Sequence, residues 1–322
     1  MFQDQPLDQL REYRGGVTMP SDFEAFWRET IDASRARGWA PRLEPVDAGL
    51  ATLDVYDLTF AGFDGEPIKG WVRAPHGAVG PLPAIVSYVG YGGGRGTPVE
   101  NLLWASAGFA HILMDARGQG STWGSGDTPD SGVFGPSAPG VCTRGIEHNS
   151  TYYYRRLFTD AALAVSAARE LPLVDRDRVG VQGASQGGAM ALAAAYLADD
   201  VRAAWAGVPF LSDIRHGATI TDAAPYREFA QYSACHRDRV DSIFAVTSYF
   251  DGVNFARLAK PPVFMTAGLR DDVVPPSTVF AAYNNYAGPK GIRVWEFNGH
   301  EGGGPLDDAL ALRFFGDHLA AA

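Results

Sequence analysis

The chain has 322 residues, 46% of them hydrophobic, 20% charged and 12% aromatic, which excludes disordered and fibrous classes and leaves one large globular domain or two small ones. A formal charge of -10 argues against a nucleic-acid partner, because phosphate binding rests on Lys and Arg displacing counterions. The start carries acids where a signal would carry a basic and then an apolar stretch, and no apolar run reaches membrane-span length, so a cytoplasmic location with no membrane partner is expected.

In chain order, Pro20-Ser21-Asp22 precedes Phe23, Phe26 and Trp27 at helical spacing, so a helix capped by Ser or Asp is expected in an N-terminal arm over residues 1–50. Residues 52–60 and 67–73 alternate apolar and polar around Phe63-Asp64-Gly65, the pattern of an antiparallel hairpin with one wet face. From residue 84 the runs become short and continuously apolar: 84–89, 110–114, 179–182, 203–208, 263–267 and 292–297. Such runs predict strands covered on both faces. Helical stretches at 151–170, 188–197 and 306–319 separate them, so a mostly parallel α/β sheet with right-handed crossovers is expected. Residues 209–260 break the alternation with aromatic-rich helical sequence, an insertion over the sheet's C-terminal edge. Without repeats or a linker, residues 1–322 read as a single domain. Cys142 and Cys235 match no metal-ligand spacing and are expected as free thiols.

Gly183-Ala184-Ser185-Gln186-Gly187 sits between an apolar strand and an Ala- and Leu-rich helix, the context of a nucleophile elbow. A serine hydroxyl needs a base, a group that orients the base, and donors for the oxyanion. The elbow predicts acid and then His downstream. His76, His111 and His148 precede Ser185, His318 lies in the last helix, and His216 and His236 lie in the insertion. His300, in a glycine-rich loop after the last strand, is the expected base. Asp271 and Asp272 both follow the preceding strand; Asp271 is preferred, although spacing does not show which carboxylate points inward. The oxyanion donors expected are the N–H of Gln186 and that of Tyr91, in the glycine-rich loop Gly90 to Gly96. That loop lacks the spacing of a nucleotide-binding motif, and His300-Glu301 has no second histidine for a zincin, so neither cofactor nor metal is expected.

With these residues assembled, the chain resembles carbohydrate esterase family seven, the acetyl xylan esterase and cephalosporin C deacetylase group of the α/β-hydrolase fold. Arg117-Gly118-Gln119, Gly183-Ala184-Ser185-Gln186-Gly187 and His300-Glu301 carry its three motifs, and the likeness extends to Tyr152-Tyr153-Tyr154-Arg155-Arg156 and Ser248-Tyr249-Phe250-Asp251-Gly252. The family pattern Asp-x-x-x-Pro-Pro-Ser-Thr selects Asp271 as the acid. The resemblance implies a serine esterase that removes acetyl groups from acetylated xylo-oligosaccharides and cephalosporin C, working as a hexameric ring whose inner cavity excludes polymeric xylan. Arg117 and Gln119 read either as braces of the oxyanion loop or as substrate contacts. Asp272 stands where Asn is expected, and a second negative charge there would move the acidic limb of the pH–rate profile upward. The competing readings are a peptidase or longer-chain lipase on the same fold, and a non-catalytic ligand-binding protein.

Overall fold

The structure is a computed structural model that describes residues 4–131 and 140–321, so the first three residues of the expected N-terminal arm lie outside it. Among the described residues the strands are β1 (Arg42–Val46), β2 (Leu53–Ala61), β3 (Pro67–Pro75), β4 (Leu82–Tyr88), β5 (Ala110–Met114), β6 (Val174–Ala184), β7 (Ala203–Gly207), β8 (Val263–Gly268) and β9 (Lys290–Trp295). They form one sheet in the order β1-β2-β3-β5-β4-β6-β7-β8-β9. The first three run antiparallel, β3 meets β5 antiparallel, and every later pairing is parallel.

The expected hairpin is β2 with β3, in register from Leu53 opposite Pro75 to Ala61 opposite Pro67, and β2 alternates buried and half-buried residues. Strand β1 was not anticipated. Its Arg-Leu-Glu-Pro-Val carries a proline that argues against a strand interior, yet at the sheet's outer edge Pro45 removes no needed ladder bond.

The continuous apolar runs have a direct cause. Successive strand residues point to opposite faces, so a strand covered on both sides is apolar throughout. Ile85, Ala203 and Trp205 face Trp104, Ala311, Phe315 and Leu319 on one side. Val86, Val181 and Ala204 lie in the larger core on the other, together with the helices Tyr153–Glu170 and Gln186–Leu197. This is the mostly parallel, doubly covered α/β-hydrolase arrangement with antiparallel N-terminal strands that the sequence predicts. Between β7 and β8 the chain forms the helices Ile214–Ile220, Tyr226–Cys235, Val240–Thr247 and Gly252–Ala256. No helix among the described residues is long and apolar enough to cross a membrane. Cys142 is buried, Cys235 exposed, and neither is in a disulfide.

The helix Phe23–Arg35 buries Phe23, Trp27 and Ile31 along one stripe. Asp22 stands at its N-cap but makes no capping bond; its carboxylate instead accepts from the Tyr249 hydroxyl at 2.5 Å, a tertiary partner that replaces the local one. Trp27 is fully buried, packs edge-on against Phe250 and donates from Nε1 to the Tyr249 carbonyl at 2.8 Å. Trp27→Ala should therefore lower unfolding free energy by about 3–5 kcal/mol in urea titrations, the usual cost of truncating a buried large aromatic.

Candidate active site

Strand β6 ends at Ala184 and the next helix begins at Gln186, which leaves Ser185 alone on the turn at φ 56° and ψ -121°. Three backbone bonds hold that left-handed conformation: Ser185 N–H donates to Gly207 O at 2.9 Å, while Phe210 and Ala189 N–H groups donate to Ser185 O at 3.1 Å each. A Cβ on Gly183 would meet the backbone of Gly187, and one on Gly187 the Tyr88 carbonyl, so both glycines are required by the close approach of helix to strands. Ser185 lines a cavity of about 750 Å³ together with Tyr91, Trp123, Pro225, Val273 and His300.

His300 lies in the loop after β9 and engages Asp271 through Nδ1, 2.8 Å from Oδ2. Asp271 is fully buried, and its other oxygen accepts from Val273 and Val274 N–H groups at 2.9 and 2.8 Å. With Nδ1 occupied, Nε2 is the nitrogen free to exchange a proton in the cavity. The neighbouring acid is placed differently. Asp272 is exposed, and among the described residues only its backbone carbonyl is engaged, by the Thr221 hydroxyl. Water and salt screen such a charge, so its influence on the acidic limb is expected to be small.

Tyr91 reaches the cavity from the loop after β4. Its phenol donates to Glu228 Oε1 at 2.5 Å and accepts from Val141 N–H at 2.8 Å, while its carbonyl accepts from the Trp123 indole at 2.7 Å. Burial raises the Glu228 carboxyl above its ordinary value, against the opposing pull of the Tyr91 hydrogen bond. Gln119 connects this loop to the elbow: its Oε1 accepts from Gly92 N–H at 2.7 Å, and its Nε2 donates to Gln186 Oε1 at 2.9 Å. Gln186 itself is fully buried with its side chain in this network, and its backbone N–H stands in the first turn of its helix, where no intrahelical acceptor exists. Ser185, His300 and Tyr91 thus share one cavity, with Asp271 directly bonded to His300 and Gln186 adjoining Ser185.

Arg117 lies outside the cavity lining and braces the structure. It grips buried Asp160 with Nε and Nη2 at 2.5 and 2.8 Å and Glu66 with Nη1 at 2.5 Å. Burial opposes its charge, but Asp160 and Glu66 outweigh that and hold the guanidinium above its ordinary value. Glu228 and Trp123 escaped the sequence reading, since neither belongs to a local motif. Asp115 escaped as well: fully buried after β5, it accepts from Arg95, Asp127 and Thr128 N–H groups at 2.9, 2.6 and 2.9 Å, and an acid closing an apolar run was its only signal. Among the described residues no group of three or more His, Cys, Asp or Glu side chains is arranged to hold a metal ion.

The family described as acetyl xylan esterase (AXE1) matches residues 1–318. The acetyl xylan esterase from Paenibacillus sp. R4 superposes with a TM-score of 0.92 at 37% identity, over 98% of this chain and 100% of that one. Acetyl xylan esterase 1 from Thermoanaerobacterium sp. gives 0.91 at 34% identity over 98% and 100%. The acetyl esterase Axe7A of Xylanibacter ruminicola is 28% identical over 288 residues, which is 87% of this chain; the match spans 63% of that relative's length.

The bracing geometry of Arg117 sets a stability prediction. Arg117→Met should cost about 3–5 kcal/mol in thermal or urea unfolding, because it strands the buried Asp160 charge, and adding Asp160→Asn should restore part of the loss.

Proposed function

We propose, from the premise that this chain belongs to the acetyl xylan esterase family of carboxylic ester hydrolases, that it removes acetyl groups from small acetylated alcohols through a serine acetyl-enzyme. The observation that carries the proposal is the 2.8 Å contact of His300 Nδ1 with buried Asp271, in a loop whose histidine shares a cavity with the strained Ser185. His300 Nε2 takes the Ser185 proton as Oγ attacks the acetyl carbonyl, and the N–H groups of Tyr91 and Gln186 receive the developing oxyanion. Collapse of the tetrahedral intermediate breaks the bond to the alcohol, which leaves with the proton held by His300. Water then attacks the acetyl-enzyme, giving its proton to His300; acetate departs as Ser185 recovers its own. Asp271 keeps Nδ1 protonated and stabilises the charged imidazole. Acetylated xylo-oligosaccharides are the proposed substrates, supported by the names of the two structural relatives. The acetoxymethyl ester of cephalosporin C is a second proposed substrate class.

Ser185→Ala should abolish turnover of 4-nitrophenyl acetate, and retained turnover would overturn the assignment. Asp271→Asn should lower kcat about 10⁴-fold, the scale set by neutralising the acid of such a triad. Asp272→Asn should stay within about twofold and leave the acidic limb of the pH–rate profile nearly in place, since its charge is solvent-screened.

A further inference from the structure

The cavity continues past Ser185 along the sheet face that the final helix covers. Ala184 and Gln182 of β6 point to that face at alternate positions, and Gln182 is paired in register with Ser87 of β4, itself opposite Leu113 of β5. All four line the cavity, as does His111, one step deeper. The neighbours on the same face are apolar, Ile85 one step lower on β4 and Trp205 level with Gln182 on β7. Polar Ser87, Gln182 and His111 therefore interrupt a face that packing alone would fill with hydrocarbon, and an uncompensated polar group there carries a cost.

Their bonds are directional. Gln182 Nε2 donates to Ser87 Oγ at 2.6 Å, and Ser87 Oγ lies 2.9 Å from His111 Nε2. Burial, helped by Arg73, pushes the His111 imidazole down to about 3, which keeps it neutral. The chain fixes the Gln182 carboxamide by its nitrogen and leaves Oε1 with no hydrogen bond from any described residue. Asp308, on the helix Pro305–His318, also lines the cavity, is exposed, and forms neither an ion pair nor a side-chain hydrogen bond with a described residue. Leu103 and Trp104 add apolar lining to the same cavity. An acetyl group fills roughly 60 Å³ if counted as two water volumes, so most of the 750 Å³ is available to the alcohol part of the ester.

We propose that Gln182 Oε1 and the Asp308 carboxylate form a subsite that accepts hydroxyl protons from a neutral polyol leaving group of the saccharide type, whose apolar ring edge lies on Leu103 and Trp104. The subsite rests on the acetyl-esterase reading above. Gln182 is three strand positions from Ser185, about 10 Å along the chain at the usual rise, which is farther than a two-carbon acyl group extends from the Ser185 hydroxyl, so the alcohol is the part of the ester long enough to meet it. The unpaired Asp308 charge opposes alcohols that themselves carry carboxylates.

The test compares kcat/KM of the full-length enzyme for mono-acetylated xylobiose, 4-nitrophenyl acetate and anionic cephalosporin C, in wild type, Gln182→Met and Asp308→Asn. Gln182→Met should lower the xylobiose-to-nitrophenyl ratio about five- to tenfold, mostly through KM, as loss of one half-buried acceptor in the cavity predicts. Asp308→Asn should raise the cephalosporin-to-xylobiose ratio about threefold, less so at high salt. Should Gln182→Met fail to fold, the exposed Asp308→Asn carries the test alone. Ratios unchanged within twofold in each folded variant, with wild type hydrolysing all three esters, would overturn the subsite and leave the esterase reading standing. Absence of Ser185-dependent turnover in wild type would overturn the esterase reading itself.

Discussion

Ser185 occupies a left-handed backbone conformation that costs a side-chain-bearing residue about 1–3 kcal/mol, and such a residue persists only where its surroundings over-determine it. Here the surroundings are three different elements. Gly207 at the end of β7 accepts the Ser185 N–H, Phe210 beyond it donates to the Ser185 carbonyl, and Tyr88 at the end of β4 presses its carbonyl against Gly187. The turn is thus held by the parallel registry of β4, β6 and β7. The large core behind the sheet fixes that registry, so the position of one hydroxyl is set by packing far from it.

Buried charge organises the loops that the sheet alone would leave undefined. Asp115 gathers backbone N–H groups from the segments after β4 and β5, Gln119 ties the Gly92 amide to the elbow helix, and Arg117 locks the same region to Asp160 and Glu66. Burying such groups is unfavourable unless every one is paired, and these are paired with backbone amides or in bidentate geometry. Their stabilisation is therefore local and directional. Apolar packing would have held the loops compact without fixing where the Tyr91 amide points.

Much of this was legible in the sequence, for physical reasons that also mark its limits. Doubly covered strands must be apolar throughout, so β4, β5, β7 and β8 stood out as runs, and the strand–turn–helix context singled out Ser185. Strand β1 was hidden because an edge tolerates Pro45 and exposed side chains. Asp271 and Asp272 are indistinguishable by spacing, since backbone direction alone buries one and exposes the other. Glu228 could not be found at all. It lies 137 residues from Tyr91, and no periodicity or motif encodes a contact between a loop after β4 and a helix before β8. Likewise Asp22 has the chemistry of a cap, but a tertiary hydroxyl offers a partner that no local pattern reports.

Tyr91 shows how the cavity's mouth and its chemical centre are mechanically joined. Its N–H is the proposed oxyanion donor, its carbonyl holds the Trp123 indole, and its phenol is clamped by Glu228 from the segment between β7 and β8. Trp123 is 64% exposed, so a ligand settling on the rim touches a side chain bonded to the same residue that would stabilise the transition state. The Tyr91 carbonyl shares a rigid peptide plane with the Gly92 N–H, which Gln119 holds, so only φ and ψ of Tyr91 itself separate that fixed plane from the Tyr91 N–H. Clamping the phenol removes much of the remaining freedom. The fold thereby joins the exposed indole of Trp123 to the proposed oxyanion donor through a single residue, while Ser185 and Asp271 follow the ends of β6 and β8.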